Sequence, residues 1–320
     1  MALTLDFSSL TQYTDQLKMP LLREAVLGGQ TIGLISLQTG IKYADSLNIM
    51  NSTLVAQAGG CGAINGTGSV VLSQRSLQVC PIKVEEAICL DQMEQYWLGM
   101  SMKPGSYVEN GPDVFNQAYN ADKVAKINQL IENYAWKGST TGTYSASYTL
   151  CNGFQHILET TSASASVING GGTYSGALTT ANAIDVLDGM VAAFYANATN
   201  ALEYQDLVAF MSISAFRTYT NAWIRANNYH VNPADAADLK KFQFTIPGTS
   251  IKVVGTIGLQ GSNKIWLTPA SNFYFGTDLV SDAEAYEIWF ERRDNQLYFR
   301  AKFKIGFQVA YPQYVCKYNG

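Results

Sequence analysis

The strongest nucleophile and base that this sequence places near each other are Cys151 and His156, five positions apart. An imidazole that draws the proton from a thiol makes a thiolate able to attack a carbonyl, so the pair spells a cysteine-dependent hydrolase. No surrounding motif supports that chemistry. The G-x-S-x-G elbow, the H-E-x-x-H helix and the Walker loop are all missing, and a Cys–His pair without such a frame is read as packing. The glycines of the segment Gly59-Gly60-Cys61-Gly62-Ala63-Ile64-Asn65-Gly66-Thr67-Gly68 could approach a phosphate closely. They lead into a β-prone run, however, and not into the helix N-terminus that a phosphate site needs. Glu85-Glu86 and Glu291-Arg292-Arg293-Asp294 supply carboxylates, but neighbours on a strand point to opposite faces, so a solvated edge and a hairpin tip are expected there. Arg300, Lys302 and Lys304 recur every second residue and would share one strand face. Three cations so placed can meet an acidic neighbour or a packaged nucleic acid, or form a solvated face.

Bulk composition narrows the function classes. Charged residues make up 14% of the 320 residues, against a usual level of about 25%. Polar uncharged residues and 19 tyrosines stand in their place, which is the make-up of surfaces that meet other proteins. The formal net charge is −4 and the longest basic runs are the pairs Lys240-Lys241 and Arg292-Arg293, so no phosphate-tracking stripe is expected. Five cysteines, an odd number without CxxC spacing, suit a reducing compartment and are expected to be buried free thiols. Residues 1 to 20 lack a basic segment running into an apolar one, and no stretch of about 18 apolar residues occurs, so neither export by that route nor a membrane span is expected.

The elements that would position these residues can be placed by period. Residues 1 to 29 predict an arm, with a short helix after Pro20 that Gly28-Gly29 stops. From Thr31 onward β-prone stretches predict a long two-stranded loop whose tip is the glycine cluster. Its returning arm changes phase at Pro81, which suits an edge strand or a bend. A helix is expected near Asp91 to Met100. A second, from Asp113 to Lys137, carries Val124, Ile127, Ile131 and Tyr134 as one apolar stripe, with Asp113 as its cap and Gly138 as its stop. Cys151 to Leu158 predicts a short helix and Ser162 to Thr180 a loop. Ala181 to Ala196 predicts a helix capped by Thr180, and a strand at Leu207 to Met211 leads into a helix from Ser212 to about Arg225. Strands follow at Ile251 to Gly255, Lys264 to Leu267 and Phe273 to Phe275, then a hairpin with arms Ala285 to Arg292 and Leu297 to Tyr311 around an Asp294-Asn295 turn. In its last arm Phe299, Ala301, Phe303, Ile305, Phe307, Val309 and Tyr311 alternate with Arg300, Lys302, Lys304, Gly306 and Gln308, which predicts one core face and one polar face. The fold class is α+β.

This order of parts resembles the major capsid proteins of tailed bacteriophages, the Hong Kong 97-like fold. The local match is strongest where Ile251-Lys252-Val253-Val254 precedes Lys264-Ile265-Trp266-Leu267-Thr268-Pro269, then Asn272-Phe273-Tyr274-Phe275-Gly276-Thr277-Asp278, a long hairpin and a terminal strand ending near Pro312. The resemblance implies an N-terminal arm at 1–29, an extended β loop at 30–89, a peripheral domain with its spine helix at 90–138, an axial domain at 139–280, and a hairpin with a terminal strand at 281–320. It implies a non-catalytic subunit, without cofactor or metal, that assembles into pentamers and hexamers of an icosahedral shell enclosing DNA. Scaffold, portal and accessory capsid proteins would be its partners, the virion its location and the host cytoplasm its place of assembly. The assembly residues would be Gly59, Gly60, Gly62, Gly66 and Gly68 at the loop tip, with Arg300, Lys302 and Lys304 on the strand.

Two departures limit the resemblance. From Ala44 to Cys80 there is no lysine, so the loop-to-neighbour cross-link of some members is not expected despite Asn319. Only about thirty residues precede the loop, so a separate scaffold, or none, is expected. An encapsulin-type nanocompartment shell is the alternative within the fold. The Cys151–His156 hydrolase, and a β-rich surface-binding module that would need an export signal, are the alternatives outside it.

Overall fold

The computed structural model describes residues 30–57, 59, 66–89, 113–170, 176–198, 206–227, 242–278, 286–291, 293 and 296–320. In chain order its strands and helices begin with β1 (Ser36–Gln38), β2 (Ala44–Thr53), β3 (Ser69–Gln78) and β4 (Cys80–Cys89). Helix α1 (Asp113–Lys137), helix α2 (Phe154–Thr160), β5 (Ile168–Asn169), helix α3 (Ala183–Asn197), β6 (Leu207–Ser212) and helix α4 (Ile213–Asn227) follow. The chain closes with β7 (Gln243–Thr245), β8 (Lys252–Thr256), β9 (Ile265–Pro269), β10 (Phe273–Gly276), β11 (Tyr286–Glu291), β12 (Gln296–Val309) and β13 (Cys316–Tyr318). The predicted arm, the helix after Pro20, the helix near Asp91 and the Asp294-Asn295 turn lie outside the described residues.

The 14-residue strand β12 organises the first sheet. Along one edge it pairs antiparallel with β4, from Gln296↔Cys89 to Ile305↔Cys80. Along the other, β11 and then β10 pair end to end, and β1 joins β10 in parallel. Its alternation works as the sequence predicts. Leu297, Phe299, Ala301, Ile305, Phe307 and Val309 are buried and Phe303 is partly so, while Arg300, Lys302 and Lys304 face outward. Gly306 is also buried, because a Cβ there would press on the Gln78 and Val79 backbone. Only glycine lets the β3–β4 junction lie this close to β12.

The second sheet runs β5-β13-β9-β6-β8-β7. All six side chains of β6 are buried, and they divide by parity. Val208 and Phe210, with Trp266 of β9 and Val254 of β8, enter one core with Trp136, Phe154 and Phe273. Leu207, Ala209 and Met211 enter another with Val186, Met190 and Phe194 of α3 and Phe216 and Tyr219 of α4. The first core continues under β12, so α1, α2 and both sheets share one aromatic centre in which Phe273 stacks on Phe154 at 4.3 Å between ring centroids.

Helix α1 matches its expected bounds, and Ile127, Ile131 and Tyr134 bury the predicted stripe; the side chains of Asp113 and Val124 lie outside the described residues. Gly138 ends it, with its N–H on the Tyr134 carbonyl. There Gly138 and Gly153 cross so tightly, N to O 2.8 Å, that a Cβ on either would strike backbone atoms.

Two expectations need correction. Ser162 to Thr180 is not all loop: Ser162–Ser166 forms a 3-10 turn and Ile168–Asn169 joins β13 in parallel. A two-residue strand has no period to read. Thr180 does not cap α3, which starts at Ala183 after Asn182, whose side chain accepts from the Thr179 N–H instead. The chain also passes between partners at Val79, whose N–H bonds the Tyr43 carbonyl, so β3 pairs β2 before it and β4 pairs β12 after it. Pro81 lies two residues later within β4, on the edge of the sheet.

Candidate assembly surfaces

Strands β2 and β3 form a ribbon paired from Ala44↔Gln78 to Thr53↔Ser69. Ten residues per strand span about 34 Å at the usual antiparallel rise. Only its base is packed: Ile41, Leu47, Leu77 and Val79 bury together against Tyr274. Beyond Ile49 the ribbon is exposed on both faces, and polar Asn51, Ser52, Thr53 and Ser69 stand there beside exposed apolar side chains. Met50 is 63% exposed and its cross-strand partner Leu72 76%, with Leu54, Val55, Val70 and Val71 beside them. A two-stranded ribbon is marginal by itself in water, and this one carries exposed apolar side chains and, among the described residues, two edges without a partner strand. Of the predicted tip glycines, Gly59 and Gly66 stand in open space and Gly68 turns the chain close to the Thr53 carbonyl. Gly60 and Gly62 lie outside the described residues.

The base of the ribbon is where the cysteine expectation fails. Cys80, the first residue of β4, is disulfide-bonded to Cys151, with Cα atoms 5.8 Å apart. The two are separated by 71 positions, so spacing carried no trace of the bond. Cys316 is free and buried, and burial pushes its thiol up to about 12. The same bond removes the hydrolase pair, since Cys151 Sγ is committed to Cys80. His156 instead pairs through Nδ1 with Ser139 Oγ at 3.1 Å, and desolvation lowers its pKa. Ser139 is fully buried and also bonds Thr141, so this serine and histidine fasten the turn after α1.

The outward face of β12 is answered from within the chain. Arg300 Nε donates to Glu85 Oε1 at 2.8 Å, its guanidinium stands 5.1 Å over the Trp289 ring, and Glu287 lies 4.0 Å away. Lys83 and Arg300 together hold the Glu85 carboxyl below its ordinary range. Lys304 reaches Asp278 at 2.9 Å and the Lys42 carbonyl at 3.0 Å, and Lys304 with Lys42 lowers the Asp278 carboxyl likewise. Lys302 is exposed opposite Lys83. Of the three predicted cations, two are therefore engaged in the chain's own ion pairs.

One buried carboxylate escaped the sequence reading. Glu132, 3% exposed on α1, accepts from the Thr31 N–H with both oxygens, at 3.2 and 3.1 Å, and from the Thr31 hydroxyl. Trp136 Nε1 donates to the same hydroxyl at 2.9 Å. Desolvation dominates and pushes the carboxyl up to about 7. The chain entering β1 is thereby tied to α1. No group of three or more His, Cys, Asp or Glu able to hold a metal occurs among the described residues, and no described helix is long and apolar enough to cross a membrane.

No family model and no curated protein matches the sequence. Solved structures do match the fold. A chain of the cyanophage A-1(L) capsid superposes with a TM-score of 0.56 at 17% identity, covering 93% of this chain and 92% of that one. The capsid of Myoviridae phage XM1 gives 0.54 at 14% identity, covering 90% of both. The satellite phage P4 procapsid gives 0.56 at 11%, covering 94% and 97%. A virus-like particle from Pyrococcus furiosus gives 0.51 at 9%. From β1 to β13 the chain has the mixed helix-and-sheet fold of these capsid and virus-like-particle chains.

Proposed function

We propose that the chain is the structural subunit of a tailed-phage capsid shell, assembling with copies of itself into pentamers and hexamers around packaged DNA. The observation that carries this is the ribbon: ten residue pairs held only at the base, with Met50, Leu72 and Val70 presented to whatever lies beyond. A monomer has no use for that apolar reach, whereas a neighbouring subunit covers it. The likeness to capsid chains over nine-tenths of both partners supports the same reading.

In this reading residues 1–29 are the N-terminal arm, 30–89 the extended loop, 90–138 the peripheral domain with α1 as spine helix, 139–280 the axial domain, and 281–320 the hairpin and terminal strand. Strand β13, within 281–320, pairs with β5 and β9, which supports a close packing of the terminal strand on the 139–280 part in this reading. The mechanism is geometric: many modest contacts between rigid bodies, ribbon and arm sum to a stable closed shell. Scaffold, portal and accessory proteins are further partners of this proposal. An encapsulin-type compartment would use the same body, and nothing in the likeness favours it over a phage shell.

The test is the double variant Met50→Thr/Leu72→Thr, which removes the apolar pair without setting like charges opposite each other, followed by light scattering during assembly. Both side chains are exposed in the subunit, so its thermal midpoint should stay unchanged while large particles are lost. Unchanged particle yield would remove the ribbon from assembly.

A further inference from the structure

Between the end of α1, the loop over residues 144–148, α2 and the turn before β9 lies a cavity of about 320 Å³. Its size is at the small end for ligand sites and suits one side chain more than a drug-sized molecule. The turn that closes it depends on Gly261, whose φ of 86° a side chain would strain.

The polar groups around this cavity are unevenly satisfied. Lys264 donates to both oxygens of Glu159, at 2.7 and 2.6 Å, and Tyr144 OH donates to the same carboxylate at 2.8 Å. These three form a closed, neutral wall. Lys137, the last residue of α1, is half-buried, lines the cavity and has no carboxylate partner among the described residues. Gln155, 3% exposed, also lines it, and its side-chain N–H₂ is buried without an acceptor. Burial lowers the Lys137 pKa, as expected for a cation losing water with nothing in return. Both unmet groups are donors, and the flanking Tyr144 and Tyr148 rings offer apolar surface for a short methylene stem.

We infer that this cavity is a socket for a carboxylate side chain, Asp or Glu, presented by a neighbouring copy of the chain, with Lys137 as counter-ion and the Gln155 amide as second donor. One uncommitted positive charge beside the Glu159 carboxylate matches a single carboxylate. A nucleic-acid backbone carries repeated charge and needs a row of cations that the cavity lacks. The chain has carboxylates to spare, 25 against 21 basic residues. The inference rests on the shell-subunit reading, and the experiment separates the two.

Particles are assembled from equal parts of ¹⁴N- and ¹⁵N-labelled subunits, checked by electron microscopy, and treated with a water-soluble carbodiimide, which joins an amine to a contacting carboxylate. Lys137 should be found joined to an Asp or Glu of the other isotope. An acetylating reagent should modify Lys137 in free subunits and fail to do so in shells. Lys137→Met and Gln155→Leu should each raise the subunit concentration needed for assembly by about tenfold or more, without lowering the thermal midpoint of the subunit. Lys137→Arg should restore assembly. Shells in which Lys137 is acetylated as fast as in free subunits, or joined only within its own chain, overturn the socket and leave the shell function standing. Protection of Lys137 that nuclease treatment abolishes overturns it in favour of a phosphate ligand. Absence of assemblies under every condition removes the shell reading and the socket together.

Discussion

Removing the Cys80–Cys151 bond should loosen the ribbon at its root. The bond closes a loop of 71 positions that contains β4 and α1, and its Cys80 end lies one residue after Val79, where the chain leaves the ribbon for the body. Chain-entropy arguments assign a loop of this length about 4 kcal/mol of stabilisation, exerted mainly on the unfolded chain. Cys80→Ala/Cys151→Ala, or a phosphine reductant, should therefore lower the stability of the body by about that amount, read from guanidinium unfolding followed by tryptophan fluorescence. Trp136 and Trp266 report on the centre, being fully buried there. The native chain alkylated without reductant should carry two fewer adducts than after reduction, and proteolysis of the ribbon should quicken once the bond is cut. Equal adduct counts would mean that Cys80 and Cys151 are free thiols, and unfolding midpoints unchanged by reductant would mean that the bond does not stabilise the body.

Other consequences can be checked separately. Glu132 has a folded pKa near 7 against an ordinary value of 4.5. A carboxyl raised on folding favours the folded state while protonated, so its contribution is full below 4.5 and is lost as pH rises through 7. At 1.36 kcal/mol per unit that is about 3 kcal/mol. Urea unfolding between pH 5 and 8 should show this decline, and Glu132→Gln should flatten it. Phe273→Ala, at the fully buried ring stacked on Phe154, should cost about 3 to 5 kcal/mol in the same assay. Phe303→Ala should cost less, because that ring is only partly buried.

What the sequence made legible was periodic. The stripe Ile127, Ile131, Tyr134 and the alternation from Phe299 to Val309 each follow one rule over several turns or pleats, so α1 and β12 emerge with their bounds nearly in place. Pairings across long separations leave no such mark. Cys80 finds Cys151, Arg300 finds Glu85 and Thr31 finds Glu132 only after the sheets are assembled. For that reason the basic face looked free in the sequence and is largely neutralised in the fold. The ribbon was legible as two β-prone arms around a glycine tip. Its exposed apolar pair, Met50 and Leu72, was not singled out because neither side chain shows its lack of cover until the partner strand is placed. The socket at Lys137 was invisible for the same reason, being built from four separate stretches of chain.

Whether this chain builds shells through its ribbon is decided by cryo-electron microscopy of the purified, assembled protein. Closed particles of five- and six-membered rings are expected, with the ribbon lying along an adjacent subunit and Met50 and Leu72 covered. A protein that stays monomeric across salt and concentration, with or without co-expressed partners, or shells whose ribbons project uncovered into solvent, would contradict assembly through the ribbon.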